Sequence, residues 1–361
     1  MHSVRPIGRV LLVGIAAAMF AAACGSTTAS TPPPVDVGSG TLIGAGATFP
    51  EPFYSKAFFT YTAKYPQVSV NYQSVGSGAG IKQFIANTVD FGASDVPMAG
   101  ADITSAGGPD TLTQIPATLG VISIAYNLSG VSKLQIDAAT LAKIFLGQIK
   151  KWNDPALIAT NSGVTLPSTD IQVVHRSDSS GTSYHFTDYL AKISTDWKTN
   201  VGVGKAVKWP AGIGQSGNQG VAQSIVGQPG AIGYVELAYV VQTQMTQAYI
   251  QNANGKFVQA SVAGATAAAS QNTSVSPTNF SITNEPGDAS YPIAGFSWII
   301  VRTTFTDATK GKAVVYMLRW LVTDGQTVGA SLQYAPLPTS VQQLALSNLK
   351  LIKAGGAPVL T

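Results

Sequence analysis

The sequence predicts an α/β fold built on mainly parallel sheets, and two observations carry that reading. Strand-like and helix-like patterns alternate along most of the chain, as helix-covered sheets require. Three times, a strand pattern ends in a loop of small hydroxyl and glycine residues that leads into a helix pattern.

Taken in order, TLIGAGATFP (41–50) is a short apolar strand running into a glycine-rich turn, and FYSKAFFTYTAKY (53–65) spaces its aromatic residues as a helix does. VSVNYQSV (68–75) alternates with period two, and the glycine turn GSGAG and the helical IKQFIANTV follow it. VDFGASDVPM (89–98) is a short strand ending in a polar turn, and GVISIAYNL (120–128) is the apolar run of a buried strand. IQVVHRSDSSGTSYHFTDYLAKI (171–193) reads as strand, polar loop and helix. GAIGYVELAYV (230–240) and FSWIIVRTT (296–304) are further strands, and GKAVVYMLRWLVTDG and SVQQLALSNLKLI close the chain with helical periodicity. No repeat of a fixed period is present.

The three strand–loop–helix units are GAGATFP, SVGSGAG and RSDSSGTS. Each leaves unpaired backbone N–H groups at a helix start, where the helix dipole also favours negative charge. One such loop is ordinarily just an N-cap. Three of them suggest convergence on an anion, although spacing alone does not bring them together.

Ahead of this body lies a targeting pattern. Arg5 and Arg9 precede an apolar run from Val10 to Ala22, and small residues lead to Cys24 and Gly25. The run is too short for a mature transmembrane helix, which needs about 20 residues. Residues 1–23 therefore read as a signal peptide. Ala21-Ala22-Ala23-Cys24 is similar to a bacterial lipobox, with Ala21 where leucine is more usual, so Cys24 is expected to be the lipidated first mature residue. Ordinary signal cleavage with an incidental thiol is the alternative. Residues 24–40, rich in Ser, Thr, Pro and Gly, cannot bury a core and read as a flexible spacer.

Cys24 is the only cysteine, so an internal disulfide is excluded and the roughly 320 remaining residues must supply the core, as two domains or lobes. Loss of the two signal arginines leaves nineteen basic against seventeen acidic side chains, with no basic stripe of the kind nucleic-acid binding needs. Catalysis finds little support. His2 leaves with the signal, and neither His175, at a strand end, nor His185, inside the following helix, addresses Ser180 by spacing. Gly-x-Ser-x-Gly is absent around that serine. No His-x-x-x-His pair or acidic cluster points to a metal, and GSGAG completes neither a Walker sequence nor a dinucleotide fingerprint. No cofactor is implied.

GAGATFP (44–50), YQSVGSGAGIKQFIANTVDFGASDVPM (72–98), FLGQIKKWNDP (145–155), HRSDSSGTS (175–183), KWPAGIGQSGNQGVA (208–222), PGAIGYVELAY (229–239) and YAPLP (334–338) occur in one order over nearly the whole body. In this order they resemble the phosphate-binding proteins of bacterial phosphate ABC transporters. The resemblance implies phosphate contacts at Thr48, at Phe49 through its backbone N–H, at Ser77 and Asp95, and at Arg176, Asp178, Ser180, Gly181 and Thr182. Gly78 and Ser179 depart from the family pattern but fall between these positions.

The chemistry of these residue types suits the implied roles. A buried anion needs several donors. Arg176 offers a forked pair, the hydroxyls of Thr48, Ser77, Ser180 and Thr182 offer more, and the helix starts add backbone N–H groups. Asp95 is the exception, since a carboxylate beside an anion is repulsive unless a proton lies between them. Phosphate at neutral pH carries one and sulfate does not. Asp178 is expected to pair with Arg176, orienting it and offsetting its charge. Each residue also has a plainer reading: Asp95, Ser180 and Thr182 as helix caps, Arg176 as a surface ion-pair member.

The resemblance further implies a two-lobe fold of the periplasmic-binding-protein type II, with mixed sheets flanked by helices and the ligand in the inter-lobe cleft. Lobe I would comprise 41–118 and 295–361 and lobe II 119–294, with crossings near 115–122 and 291–298. It implies a non-enzymatic monomer, anchored by lipid on Cys24 to the extracytoplasmic face of a bacterial membrane. Phosphate would be passed to the permease and ATPase subunits of an ABC importer. The same fold binding sulfate, or a secreted relative with phosphatase activity, are the alternatives.

Overall fold

The computed structural model describes residues 35–361, so the signal, Cys24 and the spacer up to residue 34 lie outside the described residues. Two strand–helix–strand units come first. They comprise β1 (Gly40–Gly46), α1 (Glu51–Lys64), β2 (Val68–Ser74), α2 (Ser77–Ile85) and β3 (Phe91–Ser94). Each helical crossover returns the chain to the same end of the sheet, and β1 accordingly pairs in parallel with β2 on one side and β3 on the other. The aromatic spacing noted in α1 faces inward, burying Phe53, Tyr54, Phe58 and Tyr61.

β4 (Leu112–Tyr126) is a strand of 15 residues, buried throughout. It starts eight residues before the apolar run that announced it. Pro116 disguises the first part, because proline interrupts a ladder. Here Pro116 pairs with Trp298 and Thr118 with Ser297, so Ala117 is an extra residue at a bulge, where proline is tolerated.

The middle of the chain supplies β5 (Gln172–Arg176), α3 (Gly181–Ile193), β6 (Ile213–Gln215), α4 (Gly217–Gly227) and β7 (Ala231–Glu236), and β8 (Ala294–Arg302) returns alongside β4. Along the nine-stranded sheet the order is β2-β1-β3-β8-β4-β7-β5-β6, with the short strand Thr246–Gln247 also against β4. The expectation of mainly parallel sheets is corrected: β8 is antiparallel to β3 and β4, and β4 is antiparallel to β7. The sheet is mixed because β8 comes from far along the chain rather than through a local helical crossover.

β4 joins two half-sheets. Leu112–Val121 pairs with β8, whereas Ile122–Tyr126 pairs with β7, so the partner changes between Val121 and Ile122. The run GAIGYVELAYV is strand only to Glu236. From there Leu237–Gln242 is helical, capped by the Glu236 carboxylate accepting from Ala238 N–H. A continuous apolar run does not distinguish the two states by periodicity. Helices Ala308–Val322 and Thr339–Leu349 pack their apolar faces into a core that reaches from Phe53 to Trp152, Trp197 and Trp298. Val37–Thr361 forms one compact unit. None of the described helices is long and apolar enough to cross a membrane.

Candidate functional site

The turn after β1 is fixed by its carbonyls. Tyr239 Oη donates to the Thr48 carbonyl at 2.6 Å and Tyr334 Oη to the Phe49 carbonyl at 2.6 Å. In a trans peptide the N–H points opposite the preceding C=O. Tying back the Thr48 carbonyl therefore turns the Phe49 N–H the other way. The Thr48 hydroxyl accepts from Asn218 N–H at 3.1 Å and from Asn218 Nδ2 at 2.9 Å.

The second loop differs from the open glycine turn read in the sequence, because α2 already begins at Ser77. Gly76, with φ +93, makes the left-handed step before the helix, and the next two glycines provide close approach instead. A Cβ on Gly78 would lie 2.3 Å from Ser179 Oγ, and one on Gly80 would lie 2.4 Å from Gly46 Cα. The two departures from the family pattern thus face each other, with Gly78 N–H donating to the Ser179 carbonyl at 2.9 Å. Ser77 Oγ accepts from Asp95 N–H at 3.3 Å and Gly181 N–H at 3.1 Å, and reaches Asp95 Oδ2 at 3.5 Å.

Asp95 follows β3 directly and is buried. The bulge between β4 and β8 sits beside it, and Ser297 Oγ donates to Asp95 Oδ1 at 2.7 Å. Burial pushes the Asp95 carboxyl up to about 7, against the lowering pull of the Ser297 hydrogen bond, the Arg176 charge and Ser77.

Across from these, β5 delivers Arg176 and α3 begins at Gly181. Arg176 is buried, with Nε donating to Asp178 Oδ1 at 2.7 Å and Nη2 to Asp178 Oδ2, which is the forked pairing expected of them. Burial works to raise the Asp178 carboxyl, but the hydrogen bonds and charge of Arg176, with Gly217 N–H, outweigh it and hold the group below its ordinary range. Nη1 of Arg176 reaches Thr182 Oγ1 at 3.4 Å, and its backbone N–H donates to Tyr234 Oη at 3.0 Å.

Ser180 caps α3, its Oγ accepting from Ser183 N–H at 3.1 Å, while Gly181 N–H goes to Ser77. Thr182 N–H is then the remaining one of the first three without a carbonyl of its own helix to bond. A Cβ on Gly181 would fall 2.4 Å from the Asp95 side chain, which explains glycine there.

All nine residues assigned by resemblance therefore meet in one place. Eight of them are buried, and Asp178 is the part-exposed partner of Arg176. The cluster offers one guanidinium, several hydroxyls, helix-start N–H groups and a single carboxyl with a pKa near neutrality. That is a donor-rich enclosure for a small oxyanion able to share a proton with Asp95.

Residues 31–319 match the PBP superfamily domain. The Phosphate-binding protein PstS of Pasteurella multocida is 44% identical over 307 residues, covering 84% of this chain and 88% of the relative. Its counterpart of that name in Xylella fastidiosa is 42% identical over 317 residues, 86% of each. The chain belongs to the PstS family. A solved phosphate-binding protein from Stenotrophomonas maltophilia superposes with a TM-score of 0.66 at 20% identity, over 86% of this chain and 94% of that one, a likeness of fold. The chain has the two-lobe, mixed α/β architecture of periplasmic binding proteins.

Several residues of this cluster escaped the sequence reading. Asn218 links Thr48, Thr182 and the Glu236 N–H, and Ser297 holds Asp95. Both lie inside motifs that were noted, GQSGNQG and FSWIIVR, but a lone amide or hydroxyl there has no spacing that marks it. His185, read as a bystander, bonds through Nε2 to the Asp95 carbonyl at 3.0 Å. His175 stacks on Trp209 and bonds to the Arg176 carbonyl, outside the cluster.

Proposed function

We propose that this chain binds inorganic phosphate with high affinity outside the cytoplasmic membrane and delivers it to the permease and ATPase of an ABC importer. The observation that carries the reading is the meeting of Thr48, Phe49, Ser77, Asp95, Arg176, Asp178, Ser180, Gly181 and Thr182, all buried but Asp178, with many donors around the Asp95 carboxyl. The name that the 42–44% identical relatives carry, phosphate-binding protein, agrees with it.

Lobe I is assigned 41–118 and 295–361, and lobe II 119–294. The change of β4 partner between Val121 and Ile122 supports the first boundary and the start of β8 at Ala294 the second. Thr48, Ser77 and Asp95 then come from lobe I and the Arg176–Thr182 segment from lobe II. Phosphate bridging both lobes gains contacts in the closed state that the open state lacks, and so favours closure. The chain is a monomeric receptor without catalytic turnover, tethered by lipid on Cys24.

Calorimetric titration of the soluble form from residue 41 onward with phosphate and with sulfate tests the core of the proposal. Tight phosphate binding is expected, with sulfate weaker by at least about tenfold at pH 8.5, where the Asp95 carboxyl is ionised. Equal affinities would sink the role given to Asp95. Turnover of a chromogenic phosphoester that is lost in Ser180→Ala would overturn the non-enzymatic reading. For the anchor, Cys24→Ser should release the protein from the membrane fraction.

A further inference from the structure

Asn218 is fully buried at the start of α4, and each polar group of its side chain is committed. Glu236 N–H, which can only donate, bonds to Asn218 Oδ1 at 3.0 Å. That contact settles which end of the amide is oxygen. Both Nδ2 protons then face hydroxyl oxygens, Thr48 Oγ1 at 2.9 Å and Thr182 Oγ1 at 3.1 Å.

A threonine hydroxyl has two acceptor sites and one proton. Thr48 Oγ1 takes two accepted bonds, from Asn218 N–H and Nδ2. Thr182 Oγ1 also takes two, from Asn218 Nδ2 and Arg176 Nη1. With its acceptor sites filled, each buried hydroxyl has only its proton left to offer. We propose that Asn218 is a positioning residue that fixes the Thr48 and Thr182 hydroxyls, from either side of the cleft, as obligate donors to the bound oxyanion. A hydroxyl free to rotate would present a lone pair to the anion part of the time, and this amide removes that option. The proposal rests on the phosphate reading above and adds to it a residue that itself need not touch the ligand.

The test is a double-mutant cycle on the soluble chain, read as phosphate affinity by calorimetry. Asn218→Ala alone should weaken binding by about 10- to 100-fold, the range for losing hydrogen bonds that serve a charged group. In the Thr48→Val/Thr182→Val background the same change should cost less than about threefold, because the hydroxyls through which it acts are gone. Purely structural damage would instead be additive, and additivity overturns the proposal. Asn218→Asp keeps the shape and guards against a folding failure of the alanine variant. Its carboxylate accepts from both hydroxyls and turns their protons away from the anion, so it should bind more weakly than Asn218→Ala. Affinity within about threefold of the unmodified chain would refute the idea. An unmodified chain that does not bind phosphate overturns the earlier reading, whereas a chain that binds but shows an additive cycle overturns only this one.

Discussion

A carboxyl with a pKa near 7, enclosed with donors, is a proton reservoir as much as an acceptor. The contact between Asp95 and an oxyanion requires one proton between them, and it does not matter which partner brings it. Phosphate supplies that proton throughout the range around neutrality, and sulfate never does. Because burial raises the Asp95 pKa, lowering the pH through 7 protonates the side chain, which can then donate to sulfate. Sulfate affinity should therefore rise by about tenfold or more between pH 8.5 and pH 5, while phosphate affinity changes less; one pH unit is worth up to a factor of ten. Competition titrations at the two pH values measure this, and Asp95→Asn should remove the dependence. A phosphate-to-sulfate ratio unchanged over that range would count against the proton argument. The sequence marked Asp95 only through the order of motifs around it. Its pKa was not legible there, because Ser297 and the enclosing bulge come from a strand some 200 positions away.

Helix starts are the element from which the site is built, and they differ in what their glycines do. Gly76 supplies a left-handed step, whereas Gly78, Gly80 and Gly181 remove side chains where backbones or side chains approach closely. The sequence reads GSGAG as a glycine turn because glycine is a strong turn signal. Folding makes most of it a helix pressed against a neighbouring strand and against Ser179. The start of β4 was illegible because a bulge there admitted Pro116, and the end of β7 because an unbroken apolar run carries on into a helix. Gly181 makes the clearest test at this scale. It stands at the first position of α3 with no left-handed backbone to relieve, and alanine is the better helix former there. A methyl group would nonetheless lie 2.4 Å from the Asp95 side chain, which the proposed lobe assignment puts on the opposite side of the cleft. Gly181→Ala should thus leave the Tm of ligand-free protein within a few degrees and reduce phosphate affinity about 100-fold or more. A variant that binds normally would mean that the cleft need not close so tightly.

At the scale of the whole molecule, segments far apart in the chain are joined by more than the site itself. Tyr334, in the segment after α-helix Ala308–Val322, donates to the Phe49 carbonyl and lies 3.0 Å from Glu236 Oε2 at the end of β7. Glu236 is fully buried, its Oε1 has no hydrogen-bond partner, and burial raises its pKa well above the ordinary value. A carboxyl whose folded-state pKa exceeds its unfolded one binds its proton more tightly in the folded state. Its contribution to stability is therefore full below the unfolded value of 4.5 and is lost as pH rises from there through the folded value. Glu236→Gln keeps an oxygen to accept from Ala238 N–H while removing the ionisation. Thermal melts of the two chains should nearly coincide at pH 4, and the glutamine variant should melt increasingly above the native chain as pH approaches 8. A gap that stays constant, or that runs in the opposite direction, would show that the carboxyl is ionised and compensated in the fold. The residue would then be an electrostatic tie between the end of β7 and the segment carrying Tyr334 rather than a neutral one.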